Sequence, residues 1–224
     1  MTLTRVVTLA GMEREYSAFA ELIGGLSSAE WEQPTRCGDW RVADVAAHVT
    51  GQLADVVNFR LEGLGSPEVT QREVDERRGR TPAQLTEELL ASIKLAVDLG
   101  ASFDDAAWDG PLPGGAGGGN TLGAGVEALW FDTYVHADDV RAALGHASVW
   151  GEGIRASLSH IADNLTDRSW GPAELRFDGY ETFPVSGGSG RTVSGDPHLF
   201  ILVATGRADP AAAGLDPSVN IYAA

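Results

Sequence analysis

The chain has 224 residues, 43% of them hydrophobic, enough to bury a sizeable core in one large domain or in a main domain with a smaller one attached. Its 16 Lys and Arg against 32 Asp and Glu give a formal charge of -16, which leaves no basic surface for phosphates and argues against nucleic acid or an anionic membrane as a partner. A single cysteine excludes an internal disulfide framework and suits a reducing compartment.

The opening MTLTRVVTLAGMEREYSAF has too short an apolar run for a signal peptide and passes straight into charged helix. No stretch approaches the length of a membrane span, so a cytoplasmic protein is expected. The richness in Ala, Gly, Asp and Arg, with Lys94 as the single lysine, suggests a GC-rich bacterial genome. A first helix is predicted over residues 4–23, with Val7, Leu9, Phe19, Leu22 and Ile23 in the core and Gly24 and Gly25 as its stop. A second runs over 42–61, where Val42, Val45, Ala46, Val49, Leu53, Val56 and Val57 recur at helical spacing. A third starts at Thr81, which caps it, with Pro82 at the first helical position and Gln84 completing a capping box, and ends near Gly100. The glycine-rich stretch 110–119 lacks the Lys-Ser/Thr pair of a phosphate-binding loop and follows no strand, so a flexible connector near a pocket is expected there. A fourth helix begins at Thr121 and ends at Gly145.

Beyond Gly145 the texture changes. A helix over 152–164 is followed by ELRFDGYETFPV, which alternates like strand and turn. Asp196 then caps a short apolar helix with Pro197 at its first position, and the terminal VNIYAA reads as a closing strand. The expected architecture is α+β: a four-helix domain over residues 1–147 and a small α+β domain over 148–224, with no internal repeat.

At about 100° per residue, His48 falls on the edge of the second helix's apolar stripe, with Asp44 and Gln52 one turn away on either side. On the fourth helix the stripe runs through Val126, Leu129, Trp130, Thr133, Ala137 and Val140, and Asp132 and His136 share one edge of it, four residues apart. Two histidines and one carboxylate suffice for a catalytic metal, and they leave coordination positions open for water or substrate. Imidazole and carboxylate suit zinc, although iron and nickel accept the same ligands. The residues alone equally allow a surface Asp–His pair and a half-buried structural histidine.

Three segments carry a resemblance. EWEQPTRCGDWRVADVAAHVTGQ (30–52) resembles the helix-entry motif of the mycothiol-dependent maleylpyruvate isomerase family, within the wider group of DinB-like metal-binding four-helix bundles. DTYVHADDVRAALG (132–145) is similar to the family's second motif, and VSGDPHLFILVATGR (193–207) to the end of its small sterol-carrier-like C-terminal domain. The resemblance implies His48, Asp132 and His136 as ligands of a divalent metal, zinc above all, and Arg207 as the functional arginine of the C-terminal domain. One position departs: the family usually has Glu where this chain has Asp132, whose carboxylate reaches one methylene less far.

The resemblance also implies an enzyme whose partners are a small organic substrate and mycothiol, the small thiol of actinobacteria. A metal-coordinated thiol loses its proton. The thiolate adds to an activated double bond and permits cis–trans isomerisation, or displaces a leaving group in S-transfer, while Arg207 pairs with a substrate carboxylate. The competing reading, kept open by Asp132, is a metal-free binding or tailoring protein on the same scaffold.

Other polar residues receive structural expectations. Trp31 and Trp40 are expected to pack the bundle, Asp139 and Arg141 to form an ion pair, and Asp44 to orient His48. His146, His160 and His198 lack partners at suggestive spacing, and Cys37, with Asp39 and Asp44 nearby, reads as an inert buried thiol. Nothing in the sequence separates monomer from dimer.

Overall fold

A computed structural model describes residues 3–112 and 121–223. The glycine-rich stretch read as a connector falls for the most part on residues 113–120, outside the described residues. The chain divides into two compact units, Thr4–Val149 and a second made of Met1–Leu3 and Trp150–Ala224.

The first unit contains α1 (Arg5–Gly24), α2 (Ser28–Trp31), α3 (Val42–Val57), α4 (Pro67–Arg77), α5 (Pro82–Ser102), α6 (Asp105–Trp108) and α7 (Leu122–Ala143). Four of these, α1, α3, α5 and α7, make the predicted bundle: α1 packs on α5 and α7, and α3 on α5 and α7. Close approach of α1 and α7 depends on Gly11, because a Cβ there would lie 2.1 Å from the buried Trp130 ring. The predicted caps hold: the Thr81 side chain accepts from the Gln84 amide, and Thr121 accepts from Ala124.

α3 differs from its expectation at both faces. It stops at Val57 rather than continuing to 61, and the chain turns in a Schellman arrangement, with Phe59 N–H bonding Val56 O at 3.1 Å and Arg60 N–H bonding Asp55 O at 2.9 Å. Its polar edge is also covered, by α4, an element the sequence pattern did not reveal. Every residue of α3 from Asp44 to Asp55 is therefore buried, His48 included. Gly51 admits α4: a Cβ there would stand 2.7 Å from Glu73 Cβ and 2.8 Å from Arg77 Nη1. Among the described residues, no helix is long and apolar enough to cross a membrane.

The second unit holds α8 (Glu152–Asp167), three short strands β1 (Ala173–Leu175), β2 (Phe183–Val185) and β3 (Arg191–Val193), and α9 (Pro197–Ala204). The strand order is β2-β1-β3, with β1 antiparallel to β2 and parallel to β3. α8 packs against β2 and α9, and Asp196 caps α9 as expected by accepting from the His198 and Leu199 amides. Residues 219–223 of the terminal VNIYAA do not form a strand. Val219 ends a 3-10 turn (Pro217–Val219), and the Ile221 amide bonds Ala204 O at 2.9 Å, so its apolar alternation serves burial against the end of α9. The fold is thus α+β, a four-helix bundle followed by a small mixed unit.

Candidate metal centre

α3 contributes His48 and α7 contributes Asp132 and His136, and the packing of these two helices brings all three side chains together. One donor atom from each lies within 4.8 Å of the other two. His48 Nε2 stands 3.3 Å from Asp132 Oδ2, and His136 Nε2 stands 3.6 Å from Asp132 Oδ1. Both imidazoles therefore turn the same nitrogen toward one carboxylate.

The opposite ring nitrogens are held by two further carboxylates. His48 Nδ1 lies 2.8 Å from Glu73 Oε2 on α4, and His136 Nδ1 lies 3.0 Å from Asp139 Oδ2 one turn along α7. An ionised carboxylate only accepts, so each Nδ1 carries the proton and donates it. That fixes ring orientation and leaves each Nε2 facing Asp132, the pattern by which carboxylates orient metal-binding histidines. Ligands about 2.0–2.2 Å from a tetrahedral ion sit about 3.3 Å apart, close to the two separations seen here. The donor set fits a divalent ion, and the shorter reach of Asp compared with Glu does not separate Asp132 from either histidine.

Without a cation His48 holds a proton instead. Burial pushes the His48 imidazole down, but the hydrogen bonds and charges of Asp132 and Glu73 outweigh it and hold its pKa up at about 9. The Glu73 side chain is 1% exposed, and its Oε1 makes no hydrogen bond among the described residues, so His48 is the partner its charge leans on.

The segment before α3 forms one wall. Trp40 places its ring centroid 5.4 Å from that of His48 and 6.5 Å from that of His136, and it is half-buried. It thus faces the two histidines, whereas Trp31 is buried and donates from Nε1 to Arg80 O, as a packing residue should. Arg36 ties this segment to α7 through ion pairs with Asp138 and, at 2.6 Å, Asp139. Asp139 thus pairs with both Arg36 and His136. Cys37 is half-exposed rather than buried, with Sγ donating to Asp139 Oδ2 at 2.9 Å.

Asp44 does not orient His48. Its carboxylate accepts from the Arg41 amide at 3.0 Å and from Arg41 Nε at 3.3 Å, closing the N-terminus of α3. Glu73 takes the role expected of Asp44, and sequence reading missed it because α4 is almost wholly polar. The Ser66-Pro67 start, with Ser66 accepting from the Val69 amide, was the available signal. Arg207 lies in the second unit, just past α9, where Nη1 donates to Thr205 O at 3.3 Å.

A family model described as the mycothiol maleylpyruvate isomerase N-terminal domain matches residues 12–141. The fold is similar to that of the solved crystal structure of the mycothiol-dependent maleylpyruvate isomerase, at a TM-score of 0.66 and 18% identity, covering 92% of this chain and 90% of that one. A histidine-to-alanine mutant of the same enzyme aligns at a TM-score of 0.63 and 17% identity over the same shares of the chains. No curated protein matches the sequence. At these identities the solved structures establish the fold, whereas the family model spans more than half of the chain: this protein belongs to the family of the mycothiol maleylpyruvate isomerase N-terminal domain.

Proposed function

We propose that the protein is a metal-dependent enzyme that uses mycothiol to isomerise, or to transfer sulfur to, a small organic substrate. The observation that carries this reading is the convergence of His48 Nε2 and His136 Nε2 on Asp132 while Glu73 and Asp139 hold the opposite nitrogens. The names of the family and of the similar solved structures support mycothiol as the thiol and isomerisation as the reaction.

His48, Asp132 and His136 would hold a zinc ion, which when bound stabilises a thiolate at neutral pH. Glu73 and Asp139 keep both imidazoles in the tautomer that binds, and Trp40 shields one side of the pair from water. In isomerisation the thiol sulfur adds to one carbon of an activated double bond. Rotation about the resulting single bond and expulsion of the thiol return the other isomer.

The test is metal analysis of untagged protein together with a thiol-dependence assay using mycothiol and an unsaturated dicarboxylate. About one zinc per chain, and turnover that disappears when either thiol or metal is withheld, is the expected result. Absence of stoichiometric metal, with stability unchanged in His48→Ala and His136→Ala, would favour a metal-free protein on this scaffold.

A further inference from the structure

His136 presents its Nε2 to Asp132 and its Nδ1 to a different pair of donors. Cys37 Sγ lies 3.8 Å from Nδ1 and 2.9 Å from Asp139 Oδ2, and Nδ1 lies 3.0 Å from that same oxygen. Zinc with one sulfur at about 2.3 Å and nitrogen and oxygen at about 2.0–2.2 Å spaces its ligands about 3.3–3.6 Å apart. The three atoms need move only a few tenths of an ångström, up to about 0.6 Å, to meet that spacing.

We infer that Cys37, His136 and Asp139 form a second cation site, for a thiophilic divalent ion such as zinc or cadmium, on the side of His136 away from Asp132. The inference rests on His136 but not on the role proposed above for His48 and Asp132, and because a neutral imidazole offers one nitrogen at a time, the two sites are alternatives for His136.

Asp138 and Asp139 are both buried, and Arg36 pairs with both. Asp139 divides its oxygens: Oδ1 accepts from Arg36 Nε at 2.6 Å, which leaves Oδ2 turned toward Cys37 and His136. Coordination replaces the Cys37 S–H bond with a sulfur–metal bond and releases the thiol proton to solvent, while the proton on His136 Nδ1 moves to Nε2, which faces Asp132, so that the ion meets a neutral imidazole. A thiolate ligand shifts preference toward softer ions than an imidazole–carboxylate set selects. Cys37 also lines a cavity of about 470 Å³ with Gly38, Asp39, Trp40 and Arg41.

Because Cys37 is the only cysteine in the chain, a thiolate-to-cadmium charge-transfer band in the ultraviolet reports this site alone. Full-length, untagged, chelator-stripped protein titrated with cadmium chloride should show the band saturating at one ion per chain. His48→Ala should leave the band unchanged, and His136→Ala should weaken cadmium binding by about tenfold or more. If His136→Ala does not fold, as judged by its circular dichroism, His136→Asn takes its place. The inference is overturned if the wild type shows no band, or if the affinity is unchanged in the folded His136 variant. Loss of the band in folded His48→Ala also overturns it, because Cys37 would then belong to the first centre. Failure of the first centre is read separately, as loss of the metal that binds without a band.

Discussion

Glu73 on α4 and His48 on α3 meet at 2.8 Å although 25 residues separate them, and the contact sets which nitrogen of His48 faces Asp132. Replacing Glu73 with Gln keeps a hydrogen-bond acceptor but removes the charge that raises the basicity of the ring. Zinc affinity should fall about tenfold to a hundredfold while the helical circular dichroism is retained, as measured by competition with a chromophoric chelator. Affinity equal to the wild type would show that Glu73 does not act on the ligand.

Gly51 lies one turn beyond His48 and leaves no room for a methyl group, with Glu73 Cβ 2.7 Å from the position a Cβ would take. Gly51→Ala should push α4 outward, cost about 1–3 kcal/mol in urea unfolding, and weaken metal binding through the displaced Glu73. A variant that loses stability yet binds zinc as tightly as the wild type would uncouple α4 from the centre.

Asp132 is the carboxylate toward which both histidines turn. Asp132→Ala should reduce zinc affinity by more than the roughly hundredfold limit typical of supporting residues, whereas Asp132→Glu, the commoner residue of the family, should retain stoichiometric metal. Equal metal content in Asp132→Ala and wild type, measured by elemental analysis, would remove Asp132 from the ligand set.

The pH dependence of stability offers a test away from the centre. Burial pushes the Glu15 carboxyl above its ordinary value, only partly offset by the hydrogen bond from Trp130 Nε1 and by the charges of Arg141 and Arg14. Because the folded pKa is raised, the cost is absent below pH 4.5 and grows as pH rises through the folded value. Glu15→Gln should therefore melt higher than wild type at pH 7 and alike at pH 4. A constant difference across that range would contradict the linkage.

The bundle was legible because α1, α3, α5 and α7 carry apolar residues at helical period, and α5 and α7 add explicit caps at Thr81 and Thr121. The pairing of Asp132 and His136 was legible for the same reason, being fixed by spacing along one helix. α4 was not, because PEVTQREVDER offers Val69 and Val74 and no apolar stripe, and a pattern search has nothing to follow. The partners Glu73 and Arg36 come from segments distant in sequence, so local spacing gives no sign of them. The terminal VNIYAA misled in the opposite way: its alternation is real, but the backbone amide of Ile221 is satisfied by the end of α9 rather than by a neighbouring strand.

The placement of Glu73 outside the four bundle helices separates two properties that a metal protein often has to change together. Residues of α1, α5 and α7 such as Tyr16, Leu89 and Trp130 hold the apolar core, whereas α4 is a mostly polar strut bearing on one face of α3. Substitutions along its outer side can alter its tilt, and with it the pull of Glu73 on His48, without opening a cavity in the bundle. A lineage carrying this fold thus has a means of adjusting its grip on an ion, or of relinquishing the ion, that leaves the folding of the bundle intact.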